Sequence, residues 1–375
     1  MNISPSPSHR PIVLVGEAWG VQEAKISAPF VGPSGVELFH QLAEAGVVAI
    51  TPVDRDYLRK FWTTGEPSYM EAVWQLHPEV ERLNVFNFHP PGNDLTTICG
   101  PRSEGIPGMP ALLKGTNGYV NAAFEPHLDQ LAEALNRLNP NIVVCLGNTP
   151  LWALAGKTGV TAFRGTTMLS THTVADFKII PTFHPAAVLR QYESRPIAII
   201  DLAKAGREAE SPYLLHTIRE IWIEPTLEDI QVFHEQHIRG CDLLSVDTET
   251  AGDQVTCIGF APSPRLALVV PFLDPRAKGR SYWRTPADES HAWRLVRGII
   301  TDPTIPKLFQ NGMYDMAFLW RSVRMPTLGA REDTMLLHHA LQPECQKALG
   351  FLGSLYADAE AWKARHRSRT NKKDE

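Results

Sequence analysis

The first half of the chain is organised by four short, largely apolar runs, each followed by a turn and then by helical periodicity. The runs lie at residues 12–15, 83–88, 142–146 and 178–181. Strands that alternate with helices build parallel sheets, because each helix carries the chain back to the same edge of the sheet. The pattern therefore predicts a doubly wound α/β domain with a parallel sheet, ending near residue 210.

Polar residues follow the ends of these runs. The first run leads into GEAWG at positions 16–20 and then PFVG at 29–32, and the fourth leads into HPAAVLR at 184–190. Open α/β sheets place ligand sites at the carboxyl ends of their strands, and glycine lets the backbone approach a ligand closely. The alternatives are an ordinary strand-to-helix turn with a solvated or capping Glu17, and a purely structural hydrogen bond for His184.

The second half has a different order of elements. A helix over 226–238 precedes strands at 243–249, 256–261 and 266–271, which is typical of an antiparallel meander opening a second α/β domain. We predict these divisions: a first domain at 1–210, a linker at 211–225, a second domain at 226–362 and a disordered charged tail at 363–375.

Composition excludes several classes of protein. The formal charge of −5 rules out a globally basic surface, so any contact with DNA has to come from local basic patches. The five scattered cysteines form no C-x-x-C pair, which argues against a disulfide framework or a zinc ribbon. No apolar run approaches the ~20 residues that span a membrane. We expect no membrane partner and a cytoplasmic location, in a bacterium or a phage-infected host. The aromatic-rich insertion at 50–80 reads as core.

GEAWG, PFVG, Asn84 and HPAAVLR together resemble the uracil-DNA glycosylase superfamily, most closely its family 4 branch, over about 11–209. The resemblance implies a uracil-containing DNA substrate, single- or double-stranded, whose nucleotide is flipped into a pocket before its N-glycosidic bond is hydrolysed. It implies catalytic roles for Glu17 and His184. It further implies that Val188 helps to wedge the DNA open, and that substrate is contacted by Gly16, Phe30, Asn84, Leu189 and Arg190.

Two departures from that family stand out. Trp19 occupies a position where the family has proline. Family 4 proteins also hold an iron–sulfur cluster through four cysteines, whereas Phe88 and Phe124 stand at the third and fourth of those positions and no cysteine precedes Gly16. We therefore expect no cluster, with two aromatic rings filling its space.

Asp247 and Glu249 lie two residues apart on a predicted strand, so both carboxylates should share one face of the sheet. With Asp315 they resemble the 3'-5' exonuclease domain of family A, phage-type DNA polymerases, over about 222–363. The resemblance implies an RNase H-like fold with a mixed sheet, and Mg²⁺ or Mn²⁺ bound by Asp247, Glu249 and Asp315. That family's third motif lies beyond the Trp362-Lys363 pair, so we expect an incomplete domain without independent activity. A solvated turn is the alternative for the D-x-E pair.

Three functions follow from these patterns. The first is a DNA repair or replication protein that excises uracil and carries an incomplete exonuclease domain. The second is a non-catalytic DNA-binding module, or one that completes a separately encoded DNA polymerase fragment. The third is a metal-dependent 3'-5' exonuclease.

Overall fold

The computed structural model describes residues 11–215, 218–274, 276 and 280–357. The described chain forms two compact units: unit 1 runs to Leu214 and resumes at Gly353, and unit 2 is Leu215–Leu352. The predicted tail at 363–375 and the Trp362-Lys363 pair lie outside the described residues. Within the described ranges, no helix is long and apolar enough to cross a membrane.

Unit 1 is an α/β unit whose helices and shortest strands surround one sheet. Its strands are β1 (Ile12–Ala18), β2 (Val80–Phe86), β3 (Cys99–Gly100), β4 (Tyr119–Val120), β5 (Ile142–Leu146), β6 (Met168–Thr171) and β7 (Ala175–Thr182). Its helices are α1 (Val21–Ile26), α2 (Pro33–Glu44), α3 (Pro52–Thr64), α4 (Pro67–Gln75), α5 (Glu125–Leu138), α6 (Asn148–Ala155), α7 (Val160–Phe163), α8 (Pro185–Arg190) and α9 (Arg195–Glu208).

The main sheet of unit 1 has the strand order β2-β1-β5-β7-β6. All neighbours are parallel except β6, which pairs antiparallel with β7 at the edge. The predicted parallel α/β fold is therefore confirmed. The central strands are buried on both faces: Ile12 and Leu14 of β1 enter one hydrophobic core, and Val13 and Val15 enter the other. This is the period of two that an extended chain imposes.

The insertion at 50–80 folds as α3 and α4, and its aromatic residues divide between core and surface. Phe61 and Trp74 are buried in the core, whereas Trp62 is 62% exposed. The segment 185–208 forms two helices, α8 and α9, with residues 191–194 between them. Proline cannot continue a helix but fits its first turn, and Pro196 starts α9 in this way.

Unit 2 is built on a mixed sheet with the order β13-β12-β9-β10-β11-β8. Strands β9, β10 and β11 form the predicted antiparallel meander, and β12 and β13 add parallel pairs. The mixed α/β fold is confirmed. The strands are β8 (Glu220–Trp222), β9 (Leu244–Ala251), β10 (Gln254–Ser263), β11 (Leu266–Pro271), β12 (Lys307–Phe309) and β13 (Ala330–Asp333). The helices are α10 (Leu227–Phe233), α11 (Pro286–Ile300), α12 (Gly312–Val323) and α13 (Thr334–Leu341). A last helix, α14 (Leu349–Tyr356), begins in unit 2 and ends in residues that belong to unit 1.

Sequence reasoning missed the edge strand β8, which lies inside the predicted linker and pairs parallel with β11. A strand of three residues is too short to show the alternation of side chains that predicts a strand. The helix predicted over 226–238 is present as α10 followed by a π-helical turn over His234–Ile238.

Asp333 joins the amino-terminal ends of two helices in unit 2. Its carboxylate accepts hydrogen bonds from the main-chain N–H groups of Asn311 and Gly312 (3.1 and 2.7 Å) and of Met335 and Leu336 (2.8 and 3.3 Å). Burial by itself would raise the pKa of Asp333, but these four donors together hold it below its ordinary value. The residue is thus a double helix cap.

We expect Asp333→Ala to lower the free energy of unfolding by about 1–3 kcal/mol, because several N–H groups lose their acceptor. Urea denaturation followed by circular dichroism measures this. Since the native pKa is depressed, the contribution is present at neutral pH and is lost as the pH falls through the native pKa. Asp333→Asn keeps an acceptor oxygen and should retain most of the stability. An unchanged midpoint in the alanine variant would contradict this role.

Candidate functional site

A cavity of about 320 Å³ in unit 1 brings together residues from distant parts of the chain. Glu17, Phe30, Asn84, His184 and Arg190 all line it. They come from β1, β2 and the segments that follow α1 and β7, so the cavity lies at the carboxyl edge of the parallel strands, as such sheets favour. Of the remaining predicted site residues of unit 1, Gly16 and Leu189 adjoin the lining without forming part of it.

Glu17 lies near the end of β1, where its carboxylate is fixed from one side. The hydroxyl of Thr149 donates a hydrogen bond to Oε2 at 2.6 Å. Thr149 is 1% exposed and lies in the first turn of α6. No described residue donates to Oε1, so one carboxylate oxygen is held and the other is available to the cavity.

His184 follows β7 and caps the amino-terminal end of α8. Its Nδ1 accepts a hydrogen bond from the main-chain N–H of Ala186 at 3.2 Å. A nitrogen that accepts carries no hydrogen, so in the neutral ring the proton is on Nε2. Burial, and secondarily the positive charge of Arg190, lower the pKa of His184 to about 4. At neutral pH the cavity therefore holds an uncharged imidazole with Nε2–H as its donor.

The main chain around His184 rests on a buried ion pair. Arg164 and Asp201 are each 1% exposed and pair with one another, and the hydroxyl of Thr182 donates to Asp201 Oδ2 at 2.7 Å. The N–H of Gly147 donates to the carbonyl of Thr182 at 2.9 Å. The φ angle of Gly147 is +95°, and a Cβ added to Gly147 would stand 3.2 Å from the Cβ of His184. Both the backbone angle and the close approach therefore favour glycine there.

Phe30 is held in a backbone conformation that a large side chain seldom adopts, with φ of 56°. Its neighbours hold it there. Glu23 Oε1 accepts from the N–H groups of Val31 and Gly32 at 3.1 and 3.0 Å, and Trp74 Nε1 donates to the Phe30 carbonyl at 2.9 Å. Strain that surrounding contacts maintain is characteristic of functional sites.

Asn84 is 4% exposed and lies in β2 directly opposite Gly16 of β1. A Cβ at Gly16 would stand 2.3 Å from Asn84 Oδ1 and 2.5 Å from Phe30 Cζ. Any side chain at Gly16 would displace both groups. Gly16 thus contributes space rather than a contact.

The segment after His184 divides between surface and core. Leu189 is 46% exposed and Arg190 is exposed at the edge of the cavity. Val188 is fully buried, so its predicted share in a wedge is wrong. In α8 it faces the core while Leu189 faces outward.

Sequence reasoning missed several lining residues, among them Glu23 and Asn148. Asn148 Oδ1 accepts from the N–H groups of Gly159 and Val160 at 2.9 and 2.8 Å, which fixes a loop beside the cavity. The signal for it was present, because Asn148 follows a strand and a glycine as Glu17 does. Glu23 lies in the short helix α1, which no periodicity indicated.

Comparison with known proteins agrees with this geometry. The profile of the Uracil DNA glycosylase superfamily matches residues 5–203, which is more than half of the chain. The chain belongs to the uracil-DNA glycosylase superfamily. One relative is the type-4 uracil-DNA glycosylase of Thermotoga maritima, 27% identical over 198 residues that cover 52% of this chain and 75% of the relative.

The iron–sulfur cluster that family 4 implies does not fit the residues present in this superfamily member. At two of the expected ligand positions, the rings of Phe88 and Phe124 stack on one another with centroids 5.5 Å apart and planes 22° from parallel. Among the described residues no three His, Cys, Asp or Glu side chains are grouped so as to hold a metal.

The predicted metal ligands of unit 2 come only partly together. Asp247 and Glu249 are exposed on one face of β9. Asp315 is buried, its Oδ1 accepts from the N–H of Thr248 at 3.0 Å, and burial followed by the charge of Asp247 raises its pKa to about 6. Asp247 and Asp315 thus interact, but the three do not form a metal-binding group within the described chain. Their role as ligands stays a prediction.

Several solved exonucleases overlap part of the chain at low similarity. The EXD2 exonuclease domain soaked in Mg and GMP is 16% identical over 36% of this chain and 68% of that chain, with a TM-score of 0.24. NrnC from Brucella melitensis with bound Mg²⁺ is 19% identical over 39% and 64%, with a TM-score of 0.25. Escherichia coli RNase D is 17% identical over 41% and 36%, with a TM-score of 0.29.

We expect nuclear magnetic resonance of ring-labelled histidine to show His184 neutral and protonated on Nε2 at pH 7. Arg190→Gln should raise the pKa of His184, because a nearby positive charge that opposes protonation is removed. Burial, the larger cause, should keep it below the ordinary ~6.5. Arg190→Lys retains the charge and serves as the control. A wild-type pKa at or above 6.5, or a fall in Arg190→Gln, would contradict the assignment.

Proposed function

We propose that unit 1 removes uracil from DNA by flipping the nucleotide out and hydrolysing its N-glycosidic bond. The observation that carries this proposal is that Glu17, Phe30, Asn84 and His184 line one cavity. An acid, an aromatic ring, an amide and an imidazole at one site supply what recognition and cleavage of a pyrimidine require. Membership of the superfamily supports the assignment.

Recognition of the base falls to Phe30 and Asn84. The ring of Phe30 offers a flat surface on which the extruded uracil stacks. The Asn84 amide accepts a hydrogen bond from uracil N3–H and donates one to O4. Cytosine presents the reverse pattern at these atoms, and a wrong bidentate pairing costs about 1–3 kcal/mol. Because Asn84 is buried and faces Gly16, its amide has little room to adapt to the wrong base.

Cleavage of the bond leaves negative charge on the uracil ring and positive charge on the sugar. The Nε2–H of His184 donates to the uracil oxygen on which the negative charge develops. A neutral imidazole suits this task, because at neutral pH it already carries the Nε2 hydrogen that it donates and does not have to take up a proton first. The free oxygen of Glu17 orients the attacking water or stabilises the sugar cation. Thr149 keeps the other oxygen in place.

DNA contacts outside the cavity come from the exposed end of α8. Leu189 enters the space left by the flipped nucleotide, and Arg190 binds a neighbouring phosphate. Both side chains are exposed beside the cavity. This local contact is what a protein of net negative charge needs in order to bind DNA.

The test is release of uracil from a single-stranded oligonucleotide in the presence of EDTA. We expect activity in the wild type, with a loss of ~10²–10⁴-fold in Glu17→Gln and ~10²–10³-fold in His184→Ala. Glu133→Gln, on the exposed face of α5, is the matched control and should retain activity. Equal release by wild type and both site variants would refute the proposal.

Gly16→Ala tests the geometry rather than the chemistry. The added methyl group would collide with Asn84 and Phe30, so we expect excision to fall by ~10²-fold, the cost of a displacement of about 1 Å at a reacting centre. Gly298→Ala in α11 meets no atom within 4 Å and is the control. Full activity in Gly16→Ala would mean that the base does not bind against these two residues.

For unit 2 we propose an exonuclease-like domain without independent activity. The domain includes β8, because β8 pairs with β11 and so belongs to the sheet rather than to the linker predicted at 211–225. Adding Mg²⁺ or Mn²⁺ to the same reaction separates the alternatives. Digestion of single-stranded ends that Asp247→Ala abolishes would establish a metal-dependent exonuclease. DNA binding that weakens steeply with salt, with neither excision nor digestion, would instead favour a binding module or one that completes a separately encoded polymerase fragment.

A further inference from the structure

Trp19 follows β1 directly, and its main chain is held at both ends. Its N–H donates to the carbonyl of Phe88 at 3.0 Å, and its carbonyl lies 2.9 Å from His89 Nδ1. A carbonyl oxygen can only accept, so Nδ1 of His89 carries a hydrogen and donates it. These two bonds extend the pairing of β1 with β2 beyond Ala18, the last paired residue of β1.

The partner segment is itself anchored through the ring of Phe88. Phe88 follows β2 in a loop, but its ring stacks on the ring of Phe124. The centroid of the Phe88 ring lies 5.2 Å from that of the His127 ring and 6.1 Å from that of the Phe86 ring. Phe124 and His127 lie at the start of α5. Burial lowers the pKa of His127, so that ring enters the aromatic cluster uncharged. We call these four residues the aromatic cluster.

We propose that the aromatic cluster positions Glu17 through Trp19. The proposal rests on the assignment of Glu17 to uracil excision. The last residues of a strand fray when no further hydrogen bonds follow them. Glu17 is the second-last residue of β1 and lies two residues before Trp19. Packing in the cluster fixes the ring of Phe88 and, with it, the neighbouring residue His89. Phe88 and His89 bond to the main chain of Trp19. Trp19 in turn keeps the end of β1, and so Glu17, in place.

The arrangement gives a physical reason for a residue other than proline at position 19 and for the ring of Phe88. Proline at position 19 would have no N–H to donate to the Phe88 carbonyl, whereas tryptophan supplies it. The ring of Phe88 supplies the anchor for the acceptor. Glu17 is then fixed at two points: Thr149 holds its carboxylate, and Trp19 holds the main chain beyond it. A displacement of about 1 Å at a reacting group can cost ~10²-fold in rate.

Two measurements on the full chain test the proposal. The first is hydrogen exchange of the amides at residues 17–20, which needs no catalytic activity. The second is the steady-state kinetics of uracil release, which show whether a loss of activity lies in kcat or in KM. We expect Phe88→Leu, which keeps an apolar side chain but loses the ring, to raise exchange at 17–20 roughly tenfold, the scale set by one lost hydrogen bond. It should lower kcat about tenfold and leave KM unchanged.

The His89 variants separate positioning from general stability. His89→Ala removes the donor to Trp19 and should act as Phe88→Leu does. In His89→Asn the side-chain amide nitrogen stands near the position of Nδ1 and should restore slow exchange and kcat. Phe177→Leu, a partly buried aromatic residue of unit 1 outside the cluster, is the control and should leave residues 17–20 unchanged.

Unchanged exchange at 17–20 in both Phe88→Leu and His89→Ala would overturn the proposal. So would a His89→Asn variant that behaves like His89→Ala. If the wild type released no uracil, the proposed function would fail, yet the exchange measurement would still decide whether the cluster holds the end of β1.

Discussion

Parallel pairing of β2, β1, β5 and β7 is the constraint on which the rest of unit 1 depends. Four neighbouring parallel strands end at the same edge, and each delivers one part of the site there: Asn84, Glu17, the segment containing Thr149, and His184. Both faces of β1 and β5 are buried, so a shift of one residue would exchange the side chains that pack in the two cores.

The electrostatic character of the site follows from its burial. His184 is held neutral by desolvation and by Arg190, and its tautomer is set by the N–H of Ala186. Burial and Arg190 thus set the charge of His184, and the cap on α8 sets the direction of its donor. The buried pair of Arg164 and Asp201 keeps the strand before it in place. The cavity is therefore organised before any ligand arrives, which is where electrostatic catalysis gains its effect.

Much of this arrangement could be read from the sequence, for identifiable reasons. The strands are short apolar runs, two of which are closed by glycine, and Glu17, Asn84 and His184 belong to motifs with a recognisable order. Val188 was misjudged because motif order does not tell which face of α8 turns inward. Glu23 and β8 were missed because a one- or two-turn helix and a three-residue strand are too short to show a period. The grouping of the unit 2 carboxylates depends on the distance between β9 and α12, which no local pattern encodes.

We expect one flipped uracil to occupy the space between Phe30, Asn84 and His184. A crystal structure with an oligonucleotide whose 2'-fluorinated deoxyuridine resists cleavage tests it most directly. The uracil ring should be stacked on Phe30, with the Asn84 amide at N3 and O4 and His184 Nε2 at O2. A uracil that remains stacked in the DNA, or binds away from this cavity while the oligonucleotide is bound, would contradict it.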